Sequence, residues 1–255
     1  MRQIKKRVLV LLSVWVLLLA AVLAFLAHLD ASLSYLDNTH TITSIGWAGY
    51  IISSIFNEQR GIVAISASWI VPKINASAGN GQSSAWIGIG GQLDKTLIQA
   101  GTEHNLRDGV EQYAAWYELL PAYAIRIESM VISPGHLITA AIRLVDTESA
   151  TWNIQLHDVS NGQGFNQNFV YNSTLSSGEW IVERSFINGQ ISSLADFGSV
   201  TFSDCKVEVG SENGAISSYT YSIVHMTNQQ FGTLATTQPL NRDGTEFSVN
   251  YLMSN

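Results

Sequence analysis

Three carboxylates and one amide stand out by the company they keep. Gln99 lies in Leu97-Ile98-Gln99-Ala100, a polar amide inside an apolar run. Buried without partners it would cost about 1–3 kcal/mol, so the fold must give it something to bind. Glu118 follows Trp116 two residues on, and Glu179 and Glu183 bracket Glu179-Trp180-Ile181-Val182-Glu183. Residues two apart in a strand share a face. Ala114, Trp116 and Glu118 therefore point one way, and Tyr117 and Leu119 the other. Likewise Glu179, Ile181 and Glu183 share a face, opposite Trp180 and Val182. A carboxylate among Trp and Ile is partly desolvated, which raises its pKa and suits it to general acid–base work. Each residue taken singly also fits the ordinary solvated face of an antiparallel sheet.

The elements that must hold these residues are strands. From Gly46 onward, short β-rich runs alternate with Gly, Asn, Asp and Ser clusters. The alternation predicts strands over 62–69, 85–89, 96–100, 112–119, 125–132, 137–145, 151–158, 165–171, 180–184, 199–202, 218–226 and 247–252. Turn signals fall between them at Asn80-Gly81, Asp108-Gly109, Pro134-Gly135, Asn161-Gly162, Asn188-Gly189 and Asp243-Gly244. Many short strands at regular spacing, with no long amphipathic helix, predict an all-β antiparallel sandwich or jelly roll of concanavalin-like type.

The N-terminus reads differently. Arg2, Lys5, Lys6 and Arg7 precede an uncharged apolar run from Val8 to Ala27. That length matches what a bilayer requires and exceeds an ordinary signal core. The run serves either as an uncleaved anchor or as a cleaved signal peptide. In both cases the basic cluster stays inside and the body lies outside, on the cell surface or secreted. The expected organisation is a signal anchor or signal peptide over 1–28, a short polar stalk over 29–45, and one β domain over 46–255.

Composition removes several classes of function. The formal net charge of −7 gives no nucleic-acid footprint. A single cysteine, Cys205, forbids an intramolecular disulfide and a thiolate zinc cluster. The six histidines include no pair at zinc-ligand spacing, and no G-x-S-x-G elbow occurs. Asp196-Phe197-Gly198 lacks the partner motifs of a kinase.

The order of motifs carries more than any one of them. It runs Gly46-Trp47-Ala48-Gly49, Trp69-Ile70-Val71-Pro72, S-A-W-I-G-I-G-G (84–91) and L-I-Q-A-G (97–101). It continues through A-W-Y-E (115–118), V-I-S-P-G-H (131–136), E-W-I-V-E (179–183) and A-D-F-G-S-V-T-F (195–202). This series resembles the glutamic peptidases, or eqolisins. The resemblance implies an acid-active endopeptidase on a β-sandwich, with Gln99 and Glu183 as its catalytic dyad. It implies that Trp47, Trp86, Glu103, Trp116 and Glu118 line the substrate groove. It also implies a polypeptide substrate, a monomer, and no cofactor or metal. Two positions depart from the family's pattern: Glu103 and Ala114 stand where Asp is usual. Two other classes remain open on the residues alone. A jelly-roll glycosidase would pair Glu118 with Glu183, about 5–5.5 Å apart if retaining. A non-catalytic lectin-like module would use the aromatic groove only to bind.

Overall fold

The computed structural model describes residues 39–187 and 189–254. The basic cluster, the apolar run and most of the expected stalk lie outside the described residues. Among the described residues eighteen strands follow one another. They begin with β1 (Thr39–Ser44), β2 (Trp47–Ser53), β3 (Ile62–Ile70), β4 (Gly81–Gly90), β5 (Leu97–Arg107) and β6 (Val110–Leu119). Next come β7 (Ile125–Arg126), β8 (Leu137–Asp146), β9 (Thr151–Asp158), β10 (Gly164–Val170), β11 (Ser177–Glu183) and β12 (Phe186–Ile187). The last are β13 (Gln190–Ile191), β14 (Ser199–Val209), β15 (Glu212–Gly214), β16 (Tyr221–Thr227), β17 (Thr233–Thr237) and β18 (Phe247–Tyr251).

Pairing between these strands is antiparallel. It runs β10-β9-β8-β3-β14-β18-β17-β16-β2-β11-β4-β5-β6-β7, with β1 on β16 and β15 on β14. The long sheet doubles back so that β3, β8 and β14 face β4, β5 and β11, giving an all-β sandwich. Its core is built from alternate residues of both layers, among them Ile65, Trp69, Ile87, Ile142, Trp152, Trp180 and Phe202. Two buried indoles tie the layers together. Trp180 donates to the Ser66 carbonyl at 3.0 Å, and Trp69 donates to Thr102 Oγ1 at 2.9 Å.

The second of these ties continues into a buried histidine. Thr102 Oγ1 lies 2.9 Å from His104 Nε2, and Ser83 Oγ lies 3.4 Å from Nδ1. Ser83 Oγ donates to the His104 carbonyl at 3.0 Å, so it meets Nδ1 as an acceptor; these partners assign the ring proton to Nδ1 and leave Nε2 to accept from Thr102. His104 is fully buried, and that burial depresses its pKa to about 3.

Where the strands differ from the sequence expectation, local geometry explains it. The strand expected over 199–202 extends to Val209, because a bulge with Asp204 at φ 52° shifts the alternation from Phe202 to Cys205. The strand expected over 125–132 shrinks to β7. Beyond it the chain turns, with the Met130 N–H on the Ile127 carbonyl at 3.1 Å. The strand expected from Ser218 starts at Tyr221, after a 3₁₀ turn over Ile216–Ser218. β1 lies inside the segment expected as stalk. Among the described residues no helix is long and apolar enough to cross a membrane.

Candidate active site

The register across β2, β11, β4, β5 and β6 lines the side chains up in three rows. The first reads Trp47, Glu183, Ser84, Glu103, Ala114. The second reads Gly49, Ile181, Trp86, Gly101, Trp116. The third reads Ile51, Glu179, Gly88, Gln99, Glu118. Gln99 and Glu183 thus stand on one face, two strands and two rows apart, with Trp86 on the strand between them. The pairing of Gln99 with Glu118 follows from the Asp108-Gly109 turn. Both turn residues have positive φ, 52° and 77°, as a two-residue hairpin requires. Arg107 then faces Val110, and counting eight residues along each strand brings Gln99 opposite Glu118.

Gln99 is 4% exposed and donates from Nε2 to Glu118 Oε2 at 2.5 Å. Its Oε1 is buried and has no partner among the described residues. One acceptor and the second N–H of the amide are therefore free for a bound water or carbonyl. Glu118 is half-buried, which lifts its pKa against the opposing hydrogen bonds from Gln99 and the Ala124 N–H.

Glu183 accepts from Trp86 Nε1 at 2.8 Å. Burial pushes its pKa up to about 7; the Trp47 and Trp86 indoles pull it down, and the nearby Glu118 charge adds to the rise. A group poised there can both take and give a proton near neutrality. The indole bonds favour the ionised form, which gives a directional expectation. A Trp86→Phe variant should move the acid limb of the kcat/KM–pH profile to higher pH. An unmoved limb would mean that Trp86 does not tune Glu183.

The rows open on a cleft of about 520 Å³. Its walls include Trp47, Gln99, Glu103, Trp116, Glu118 and Glu183. Ser84, Leu97, Leu120, Tyr123, Ala124, Arg126, Ser185 and Phe186 complete the lining. Four of the five residues expected to line the groove are there. Trp86 is the exception: it is fully buried, with Trp47 set edge-on against it at 5.2 Å, and presents no surface to a substrate. Its indole reaches Glu183 instead. Two glycines give the residue room, Gly101 beside its Cβ and Gly88 beside its ring. A Cβ at Gly101 would lie 2.5 Å from Trp86 Cβ, and one at Gly88 would lie 2.9 Å from Trp86 Cζ3.

Other functional-type residues fall elsewhere. Glu179 is fully buried beside Ser177 and does not line the cleft. Burial holds its pKa well above the usual carboxylate range. Arg184, next to Glu183, is buried and donates to the carbonyls of Ile45, Ser192 and Thr227. Ser84 could have been found by parity with Trp86. Tyr123 and Arg126 carried no motif. Among the described residues no group of His, Cys, Asp and Glu is placed to hold a metal ion.

A model of the peptidase A4 family matches residues 46–251. The chain belongs to the peptidase A4 family. Among similar proteins, Aspergillopepsin-2 of Aspergillus niger is 28% identical over 191 residues, which are 66% of this chain and 65% of that protein. The A4-family chain thus spans about two thirds of the length of that relative. Scytalido-glutamic peptidase with a transition state analog inhibitor superposes with a TM-score of 0.68 at 21% identity, covering 82% of this chain and 99% of that one. SCP-B, an eqolisin in complex with the tripeptide Ala-Ile-His, gives 0.64 at 22% identity, with coverage of 82% and 99%. Aspergilloglutamic peptidase of Aspergillus niger gives 0.60 at 27% identity, with 68% and 99% covered. The all-β antiparallel fold is therefore that of the eqolisins. The two departures from the family's pattern prove to be a pair, because Glu103 and Ala114 sit opposite each other across β5 and β6. Glu103 faces no second carboxyl there, and accepts from Asn105 Nδ2 at 3.1 Å.

Proposed function

We propose that this chain is an endopeptidase that hydrolyses peptide bonds with Gln99 and Glu183. The observation that carries the reading is their placement on one cleft wall, each in a state suited to its part. Glu183, ionised, takes a proton from a water that attacks the peptide carbonyl, and later returns it to the leaving nitrogen. Gln99 orients that water through Oε1 and donates its second N–H to the developing oxyanion. Glu118 fixes the amide by accepting its first N–H. Trp47, Trp116 and the cleft rim hold an extended polypeptide, as the tripeptide and inhibitor complexes of related peptidases suggest. The finer reading of the fold as a concanavalin-like jelly roll belongs with this proposal. So does a single-pass or cleaved N-terminal segment over 1–28 that puts the domain over 46–255 outside the cell.

The test is a digest of denatured protein by the full chain from acid to neutral pH, with pepstatin present. Cleavage is expected, falling about 10²-fold or more in a Gln99→Ala variant. Because Glu183 titrates near 7, its ionised form is a minority species in strong acid, so the acid limb reports on the base. Full activity in Gln99→Ala, or none in the unaltered chain at any pH, would overturn the reading. Cells expressing the chain, separated into membrane and secreted fractions, show whether segment 1–28 stays attached.

A further inference from the structure

The sheet ends on one side at β10, and this edge has an unusual sequence. The strand Gly164–Val170 reads GFNQNFV, with no charged residue and no proline. Exposed edges are ordinarily guarded by Lys, Pro or a bulge, because a row of free backbone groups invites another strand. Here the pairing with β9 is continuous from Gly164 to Val170, without a bulge.

The backbone directions of β10 follow from its two ends. The Gln163 carbonyl accepts from the Asp158 N–H, and the Tyr171 N–H donates to the Ala150 carbonyl. Odd-numbered residues of the strand thus face β9. Gly164, Asn166, Asn168 and Val170 turn their N–H and C=O groups outward, where no described residue meets them.

The strand is also a palindrome about Gln167: Phe165-Asn166-Gln167-Asn168-Phe169 reads the same in both directions. An antiparallel partner related by a two-fold axis at Gln167 would therefore meet like with like. Asn166 would face Asn168 of the second copy as a hydrogen-bonded pair, and Gly164 would face Val170. Gln167 would face itself as a non-hydrogen-bonded pair. Phe165 and Phe169, which pack on Tyr117 within each copy, would face each other across the axis. On the opposite face, Asn153 Nδ2 donates to Oδ1 of both Asn166 and Asn168, at 2.8 and 2.7 Å. The NH₂ groups of Asn166 and Asn168 are left as donors for the matching amides across the axis.

We propose that β10 is the contact surface of a two-fold dimer, in which a second copy of this chain pairs antiparallel with it, centred on Gln167. The occupant is a second copy because the strand is self-complementary in residue type and backbone direction, and it has no charge to repel an identical edge. The contact is isologous, so it closes at two copies and consumes both edges. It runs against the monomer expected from the sequence, and it is independent of the peptidase reading.

Single-cysteine crosslinking tests the register directly. A non-hydrogen-bonded antiparallel pair sets its Cα atoms about 4.5 Å apart, within disulfide range. Cys205 is fully buried and adds no background. The full chain in detergent, oxidised with diamide, should give a crosslinked dimer for Gln167→Cys. Phe165→Cys and Phe169→Cys, each meeting the other position rather than itself, should crosslink about tenfold less. Adding Asn168→Pro removes an outward N–H without touching the β9 ladder, and should abolish the Gln167→Cys crosslink. Equal crosslinking at all three positions, none at Gln167→Cys, or a crosslink indifferent to Asn168→Pro would each overturn the proposal. So would a monomer in which residues 1–38 of the same chain cover this edge.

Discussion

A Glu183→Gln variant is expected to lose peptide-bond cleavage by about 10³-fold or more while gaining stability at neutral pH. The two effects have one origin. Burial raises the Glu183 pKa from its ordinary 4.5 to about 7. The folded state therefore binds a proton that the unfolded chain releases. The stability this contributes is fully present below about 4.5 and is lost as pH rises through about 7. At pH 8 the wild-type chain holds an ionised carboxylate in a poorly hydrated site, and the amide removes that cost. Because Glu183 keeps some access to the cleft, about 1–2 kcal/mol of the shift should be recovered. Urea unfolding at pH 5 and pH 8 measures it: the variant should gain on the wild type only at the higher pH. Loss of activity with loss of stability at both pH values would instead mark Glu183 as a structural residue.

The second large effect has the opposite sign in acid. His104 has a pKa depressed from 6.5 to about 3 by complete burial. The stability tied to its neutral form is present above about 6.5 and drains away as pH falls toward 3. The loss is roughly 4 kcal/mol over that interval. A peptidase working in acid would carry this buried group as a liability, partly offset by the raised carboxyls of Glu183, Glu118 and Glu179. His104→Gln keeps a polar group beside Thr102 and Ser83 but cannot take a proton. Its stability between pH 6.5 and 3 should fall less steeply than the wild type's, by about one proton, so that the two curves cross in acid. Parallel curves in urea unfolding across that range would exclude His104 as the titrating group.

Much of the working face could be read from parity alone. Trp116 with Glu118, and Ile181 with Glu183, share faces because a strand's period is two, and they do so in the structure. The Asp108-Gly109 turn also fixed the partner of Gln99, since a two-residue hairpin sets register all the way down both strands. The meeting of β11 with β2 and β4 was out of reach. These strands are far apart in sequence, and no local signal says that β11 inserts between the other two. Trp86 shows the same limit. Its position on the groove face was legible, but not that Trp47 would cover it and turn its indole toward Glu183. His104 drew no notice because a histidine in a strand declares itself only when its neighbours prove to be core.

The glycines beside Trp86 bear on how this cleft could be redesigned. Gly88 leaves no slack beside the indole and Gly101 none beside the Trp86 Cα and Cβ, and the indole bonds Glu183. A side chain added to the floor, even a methyl group, would be paid for in the alignment of the base. On the proposed reading, substitutions off that floor, at Leu120, Tyr123, Arg126 and Phe186, are expected to alter substrate preference without disturbing the base. Of these, Tyr123, Arg126 and Phe186 lie beyond the long central strands, at the short strands β7 and β12 and the loop before β7. If Glu183 is the base, specificity and chemistry are expected to sit on separate parts of this chain, so that one can vary while the other stays fixed.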